Sequence, residues 1–229
     1  MPSGFTRKNS ICKPWLALMF MAALGACSSS PVPAPGMSGL PDRVELNSVP
    51  YFGGKANHSG SMALAALLRQ QGIEITPGLL DKPLHLPEDV DQLEASTQRV
   101  ARSYGMVVYR LDTDMRALMT QVAAGYPVLV RYTDGSMFWS EPRYAIVVGY
   151  DRFKDRVLLR AADERRKIIG FSTFESKWRE AGGWAVLIQK PTQLPADVDR
   201  QRWLQAADEL ARAGQETEAA RAVRALASH

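Results

Sequence analysis

Apolar positions first gather in an unbroken run at residues 15–24, preceded by Arg7, Lys8 and Lys13 and followed by small residues. That three-part layout is the layout of a secretory signal, and the run is about half the ~20 residues a membrane-spanning helix needs. Residues 1–26 are therefore expected to be cleaved and to stand outside the fold. Residues 27–45 are rich in Ser, Pro and Gly, a composition that builds no packed core and predicts a flexible tether. From Leu46 the pattern becomes that of a folded body, residues 46–192.

Within the body, Met62, Ala65, Ala66 and Leu68 recur at helical spacing across residues 59–71, with Gly72 as the stop. The spacing predicts further helices over 88–104 and 113–124, the latter ended by Gly125, with strand character at 106–111 between them. After Pro127 the segments 128–132, 144–150, 156–160, 167–171 and 184–189 are short and rich in β-branched and aromatic residues, which predicts one antiparallel sheet. Ser172 and Glu175 fit a capping box for a short helix before Gly182. Helices first and strands later make the fold class α+β. Beyond the Pro191 to Pro195 punctuation, residues 196–229 read as two amphipathic helices broken at Gly214, with Trp203, Leu204, Ala207, Leu210, Ala219, Val223 and Leu226 on the apolar faces. The pair resembles one tetratricopeptide unit. Because a solenoid needs about three repeats, it is expected to pack on the body as a bracket or to dock against a partner.

Charge changes the picture only by exclusion. The formal +4 includes the three basic residues of the leader, which holds no acidic one; without it 25 basic residues face 24 acidic ones. No basic face for nucleic acid follows. Arg160, Arg165, Arg166 and Lys167 form a small basic cluster, read as a solvated hairpin in preference to a phosphate site. Of the two cysteines, one lies in the leader and the other is Cys27. Leu24, Gly25, Ala26 and Cys27 resemble the bacterial lipobox, which implies acylation at Cys27, a membrane anchor and a place in the bacterial cell envelope. Ser28 in the following position, where an aspartate would retain the protein at the inner membrane, favours the outer membrane facing the periplasm. Three histidines without paired spacing, and no thiol in the body, give no zinc set; Gly53 and Gly54 do not sit in a phosphate-loop spacing. No metal and no cofactor are expected.

The run Val49, Pro50, Tyr51, Phe52, followed by Ser59, Gly60 and an alanine-rich helix, resembles the start of the bacteriocin-processing, papain-like cysteine peptidases, which cut after double-glycine leaders. Arg143 to Asp151, with Tyr144, Ala145, Ile146, Val147, Val148, Gly149 and Tyr150 between, is similar to their second hallmark. The resemblance extends through Arg102, Ser103, Tyr104, Gly105 and residues 174–184, and is nearest to standalone exported members that carry a tetratricopeptide tail. It implies a papain-like fold. It also implies three chemical positions: an oxyanion-donating glutamine, a cysteine nucleophile at the start of the first helix, and a histidine opening the second hallmark. Here these hold Gly54, Ser59 and Arg143.

That exchange is severe. Helix-end dipoles and a neighbouring imidazolium stabilise a thiolate, whereas a serine hydroxyl needs a base within hydrogen-bond reach. Arg143 cannot accept a proton at any physiological pH. His58 should point away from its neighbour Ser59, and His85 lies on a Pro-flanked loop. Asp163 is the only acid near the place of the family's third residue and reads as a solvated turn residue. Ser59 is expected to cap its helix, a contact worth about 1 kcal/mol. Arg143 has two readings left open, a strand-end arginine paired with Glu141 or Asp151, or a clamp for an anion or C-terminal carboxylate.

The leading expectation is a pseudopeptidase whose groove, with His58, Ser59, Trp139, Arg143 and Tyr144 as candidate lining, holds a peptide or protein segment of the envelope by strand addition without cutting it. A hydrolase using Ser59 with an unconventional base is the second. A structural scaffold is the third, in which Tyr51, Phe52, Met137, Phe138 and Trp139 plug the groove.

Overall fold

A computed structural model describes residues 4, 38–86, 92–136 and 139–228, without the side chains of Ser136 and Trp139. The chain divides into two units, Met1–Val32 and Pro33–His229. Of the first unit only Gly4 is described. Cys27, Met137 and Phe138 lie outside the described residues.

In the second unit the elements follow the order β1 (Arg43–Glu45), α1 (Ser59–Gln70), α2 (Pro77–Asp81), α3 (Leu93–Ser103), β2 (Val107–Arg110), α4 (Met115–Ala123), β3 (Val128–Ser136), β4 (Trp139–Asp151), β5 (Arg156–Ala161), β6 (Lys167–Gly170), α5 (Phe171–Glu180), β7 (Ala185–Gln189), α6 (Arg200–Arg212) and α7 (Glu216–Ala227). The strands form one antiparallel sheet in the order β2-β7-β3-β4-β5-β6, with β1 added against β4.

The sheet is buried on both faces, which is why its central strands read as near-continuous apolar runs. Alternation sends Val130 and Tyr132 of β3, Ala145 and Val147 of β4 and Leu159 of β5 into one core with α4, α5, α6 and α7. Leu129, Tyr144, Ile146 and Leu158 go into the other, beneath α1, α2 and α3. The expectation of N-terminal helices on a sheet thus describes one face; a second helical layer covers the other.

Several boundaries differ from the sequence reading, each for a local reason. Arg43–Glu45, expected in the tether, pair with Asp151, Tyr150 and Gly149 of β4. The approach is close: a Cβ on Gly149 would stand 2.4 Å from the Val44 carbonyl oxygen, so only glycine fits there. A β-bulge between Val147 and Gly149 sets Val148 as the extra residue on that strand. The predicted capping box at Ser172 and Glu175 does not form. Gly170 occupies the N-cap of α5 without a side-chain cap, so Ser172 is already helical, and Glu175 pairs with Arg179 one turn on at 2.8 Å. The helix α2 has no counterpart in the sequence reading; it is a single turn started by Pro77, too short for a period to show.

The C-terminal hairpin packs on the body. Trp203 is fully buried, its indole N–H donates to the Ala222 carbonyl at 2.9 Å, and its ring lies 6.2 Å from that of Tyr109. Gln121 brackets the linker by donating to the Ala196 carbonyl at 2.8 Å and accepting from the Ala196 N–H at 3.0 Å. Arg202 grips Asp112 through both carboxylate oxygens, at 2.8 and 3.1 Å, and Arg102 pairs with Glu209. Replacing Trp203 by alanine removes the hairpin's central anchor, and we expect it to lower the unfolding free energy by about 3–5 kcal/mol in urea titrations. A loss under about 1 kcal/mol would show that the hairpin contributes little to the stability of the body.

A polar network ties the sheet together at the end of β3. Asp134 accepts from the Tyr132 hydroxyl at 3.0 Å and from Lys167 of β6, while Lys177 of α5 stands 3.7 Å away. Burial pushes the Asp134 carboxyl up, but the hydrogen bond and charge of Lys167, the Tyr132 hydroxyl and Lys177 outweigh it and hold it below the usual carboxylate range. A lowered carboxyl stabilises the fold above its unfolded pKa and loses that contribution as pH falls through the folded value. Asp134→Asn should therefore cost about 1–2 kcal/mol at pH 7 and progressively less toward pH ~2.5. A deficit that stays constant across that range would assign the cost to packing and not to charge.

Candidate functional site

The first helix begins one residue earlier than a cap at Ser59 requires. A 3-10 turn, Ala56–His58, runs straight into α1, so Ser59 already has helical angles, φ −55 and ψ −34, and His58 stands at the N-cap without a side-chain cap bond. Because a capping residue needs non-helical backbone, the expected capping role of Ser59 is overturned. Its hydroxyl turns to the sheet and accepts the backbone N–H of Tyr144 at 3.2 Å. This bond is buried and joins α1 to β4. It places Ser59 beside the start of the second hallmark, as the resemblance implies.

The neighbouring polar groups are engaged elsewhere. Arg143 pairs with Glu141, two residues away on the same face of β4. His58 directs Nδ1 to the Asp81 carboxylate of α2, 3.1 Å away, and its carbonyl accepts from the Ser61 hydroxyl at 3.0 Å. His85 is exposed in a left-handed backbone conformation, φ 57. Asp163 lies in the turn after β5, where Ala161 and Glu164 exchange backbone hydrogen bonds of 3.1 and 3.2 Å, and stands 3.5 Å from Lys167. Among the described residues no imidazole is hydrogen-bonded to Ser59. The Tyr144 ring meets that of Trp184 edge to face at 5.7 Å, and burial pushes its hydroxyl pKa up. Trp139 opens β4 five residues before Tyr144.

The segment that would carry an oxyanion donor is sewn down on the end of β5. The Gly54 N–H donates to the Ala162 carbonyl at 2.9 Å, and the Tyr51 hydroxyl donates to the same oxygen at 3.3 Å. A side chain at position 54 would require the flexible Met62 methyl to move, since a Cβ there would lie 2.1 Å from it. Beside this segment Pro50, Tyr51, Phe52, Met62 and Ser59 line a partly open pocket of about 10 Å³. That space matches one water molecule.

Sequence reading missed two features. Tyr132, Asp134, Lys167 and Lys177 are scattered along the chain and meet only through the sheet register. Arg160 was placed with its basic neighbours in a solvated hairpin, yet it is only 6% exposed and lines the cavity at Ser59. Its parity with Leu158, which faces the α1 side, was the available signal. No group of three or more His, Cys, Asp or Glu side chains converges as a metal site among the described residues. None of their helices is long and apolar enough to cross a membrane.

No family model matches the sequence, and no curated protein matches it. In structure the chain is similar to a C39-like peptidase from Bacillus anthracis, at 16% identity and a TM-score of 0.51 over 66% of this chain and 98% of that one. It is also similar to xylellain, a cysteine protease from Xylella fastidiosa, at 12% identity and a TM-score of 0.52 over 69% of this chain and 90% of that one. Identities this low carry the fold and not the activity. The chain has the papain-like fold of the C39-type cysteine peptidases.

Proposed function

We propose that this protein is a pseudopeptidase of the bacterial envelope, anchored through a lipid on Cys27, which holds a peptide or protein segment in its papain-like groove without cleaving it. The observation that carries the reading is the state of Ser59: its hydroxyl is buried, accepts a backbone N–H of β4, and has no imidazole hydrogen-bonded to it among the described residues. A serine nucleophile needs such a base, and the guanidinium of Arg143 cannot replace it. The Gly54 N–H is committed to Ala162, which removes a further donor from a developing oxyanion. The fold supports a peptidase-related role, and groove recognition by main-chain hydrogen bonds requires no nucleophile.

A scaffold role is the second reading, favoured by the roughly one-water cavity at Ser59 and its filling by Tyr51, Phe52 and Met62. In that case partners meet the outer faces of α6 and α7, where Leu204 and Val223 are exposed.

The two readings and catalysis separate in two measurements. Casein and synthetic double-glycine leader peptides should remain intact after prolonged incubation with the purified lipoprotein, and a fluorophosphonate probe should leave Ser59 unlabelled. Cleavage that disappears in Ser59→Ala would restore the hydrolase reading. Photo-crosslinking amino acids placed at His58 and Arg143, both partly exposed, should capture an envelope protein in intact cells, with an excess of its crosslinked segment as a free peptide abolishing capture. Adducts only from positions 204 and 223 would move the contact to the hairpin and favour the scaffold.

A further inference from the structure

Arg160 is a buried cation beside Ser59 whose needs the described residues do not fully meet. Its side chain is 94% buried, being 6% exposed. Nη1 donates to the Arg165 carbonyl at 2.7 Å, but Nε is buried without a partner, and no carboxylate of the described residues lies within ion-pair distance. The nearest acid in electrostatic terms, Glu45, is already held by both nitrogens of Arg166, at 2.9 and 3.0 Å, and by Arg43 at 3.6 Å. One carboxylate therefore stands against Arg43, Arg160 and Arg166, with Arg165 adding to the same positive field. A buried guanidinium so poorly compensated is expensive, and an unfilled donor of this kind calls for an ion or an ordered water.

The cavity beside it narrows the choice. Arg160 and Ser59 both line the space of about 10 Å³ under residues 50–54. Ser59 uses an oxygen lone pair for the Tyr144 N–H, which leaves its proton to donate. Both residues therefore border a space the size of one small particle, with Met62, Tyr51 and Phe52 along its other side. The volume excludes a carboxylate or a phosphate while the roof stays bonded to Ala162. It admits a water, or, with a small shift of the flexible Met62 thioether, a monatomic anion. Water satisfies hydrogen bonds but leaves the excess positive charge, and a halide satisfies both.

We propose that the vestigial site holds a chloride ion between the Ser59 hydroxyl and the Arg160 guanidinium. The ion neutralises the buried arginine and fixes the loop carrying Gly54 against β5 and α1. The position that elsewhere in this fold would carry the nucleophile thus becomes part of a structural anion site. This claim is separate from peptide recognition, since its readouts need no partner.

The test uses the mature lipoprotein in detergent, dialysed into sodium gluconate and titrated with sodium chloride at constant ionic strength. The native protein should show a saturable rise in Tm of about 3–6 °C by 200 mM chloride, with bromide acting alike. Ser59→Ala should weaken the dependence several-fold, and Arg160→Met should abolish it. Because the arginine variant alters the core, Ser59→Ala alone is sufficient if Arg160→Met fails to fold. Crystals grown in bromide should show an anomalous peak in the cavity. Superimposable chloride and gluconate curves for the native protein, or a cavity containing an ordered water only, would overturn the proposal.

Discussion

The body depends on one strand being buried on both sides. β4 pairs with β3 from Trp139 to Val147, with β5 over its second half and with β1 at its end. Ala145, Val147 and Tyr150 belong to one core, while Tyr144, Ile146 and Val148 belong to the other. A one-residue slip would exchange the two sets, and the bulge at Val148 and the close approach at Gly149 further pin the register. The Ser59 hydroxyl is bonded to the backbone of this strand, not to a side chain, so the position of α1's first residue follows from the register of β4. The geometry around Ser59 is thereby held by core packing.

This explains what could be read from the sequence. The run Tyr144, Ala145, Ile146, Val147, Val148, Gly149, Tyr150 has no alternation because both faces are buried, and its length and β-branched content suffice to mark a strand. The helices α1 and α4 were legible from their apolar spacing and glycine stops. β1 was not, because three residues with Arg43 and Glu45 at their ends resemble the tether before them until β4 offers its edge. The Ser172 capping box failed because Gly170 allowed the helix to start earlier. At the site, the identities at Gly54, Ser59 and Arg143 were readable. Their contacts were not: whether a serine before a helix caps it or turns to the sheet depends on the 3-10 turn Ala56–His58, which has no periodic signature. Likewise a run of arginines and a lysine looks solvated until strand parity sends Arg160 inward.

Catalytic sites keep polar groups unsatisfied until substrate arrives, and that readiness costs stability. Here the corresponding groups are closed off one by one within the protein. The Gly54 N–H goes to Ala162, the Ser59 oxygen to the Tyr144 N–H, and the Arg143 guanidinium to Glu141. Each contact is local or inside a buried bond, so each favours the folded state without preparing a reaction coordinate. The Gly54 N–H, the Ser59 oxygen and the Arg143 guanidinium thus each find a partner among the described residues, and the first two bonds tie the segments that carry them to the sheet.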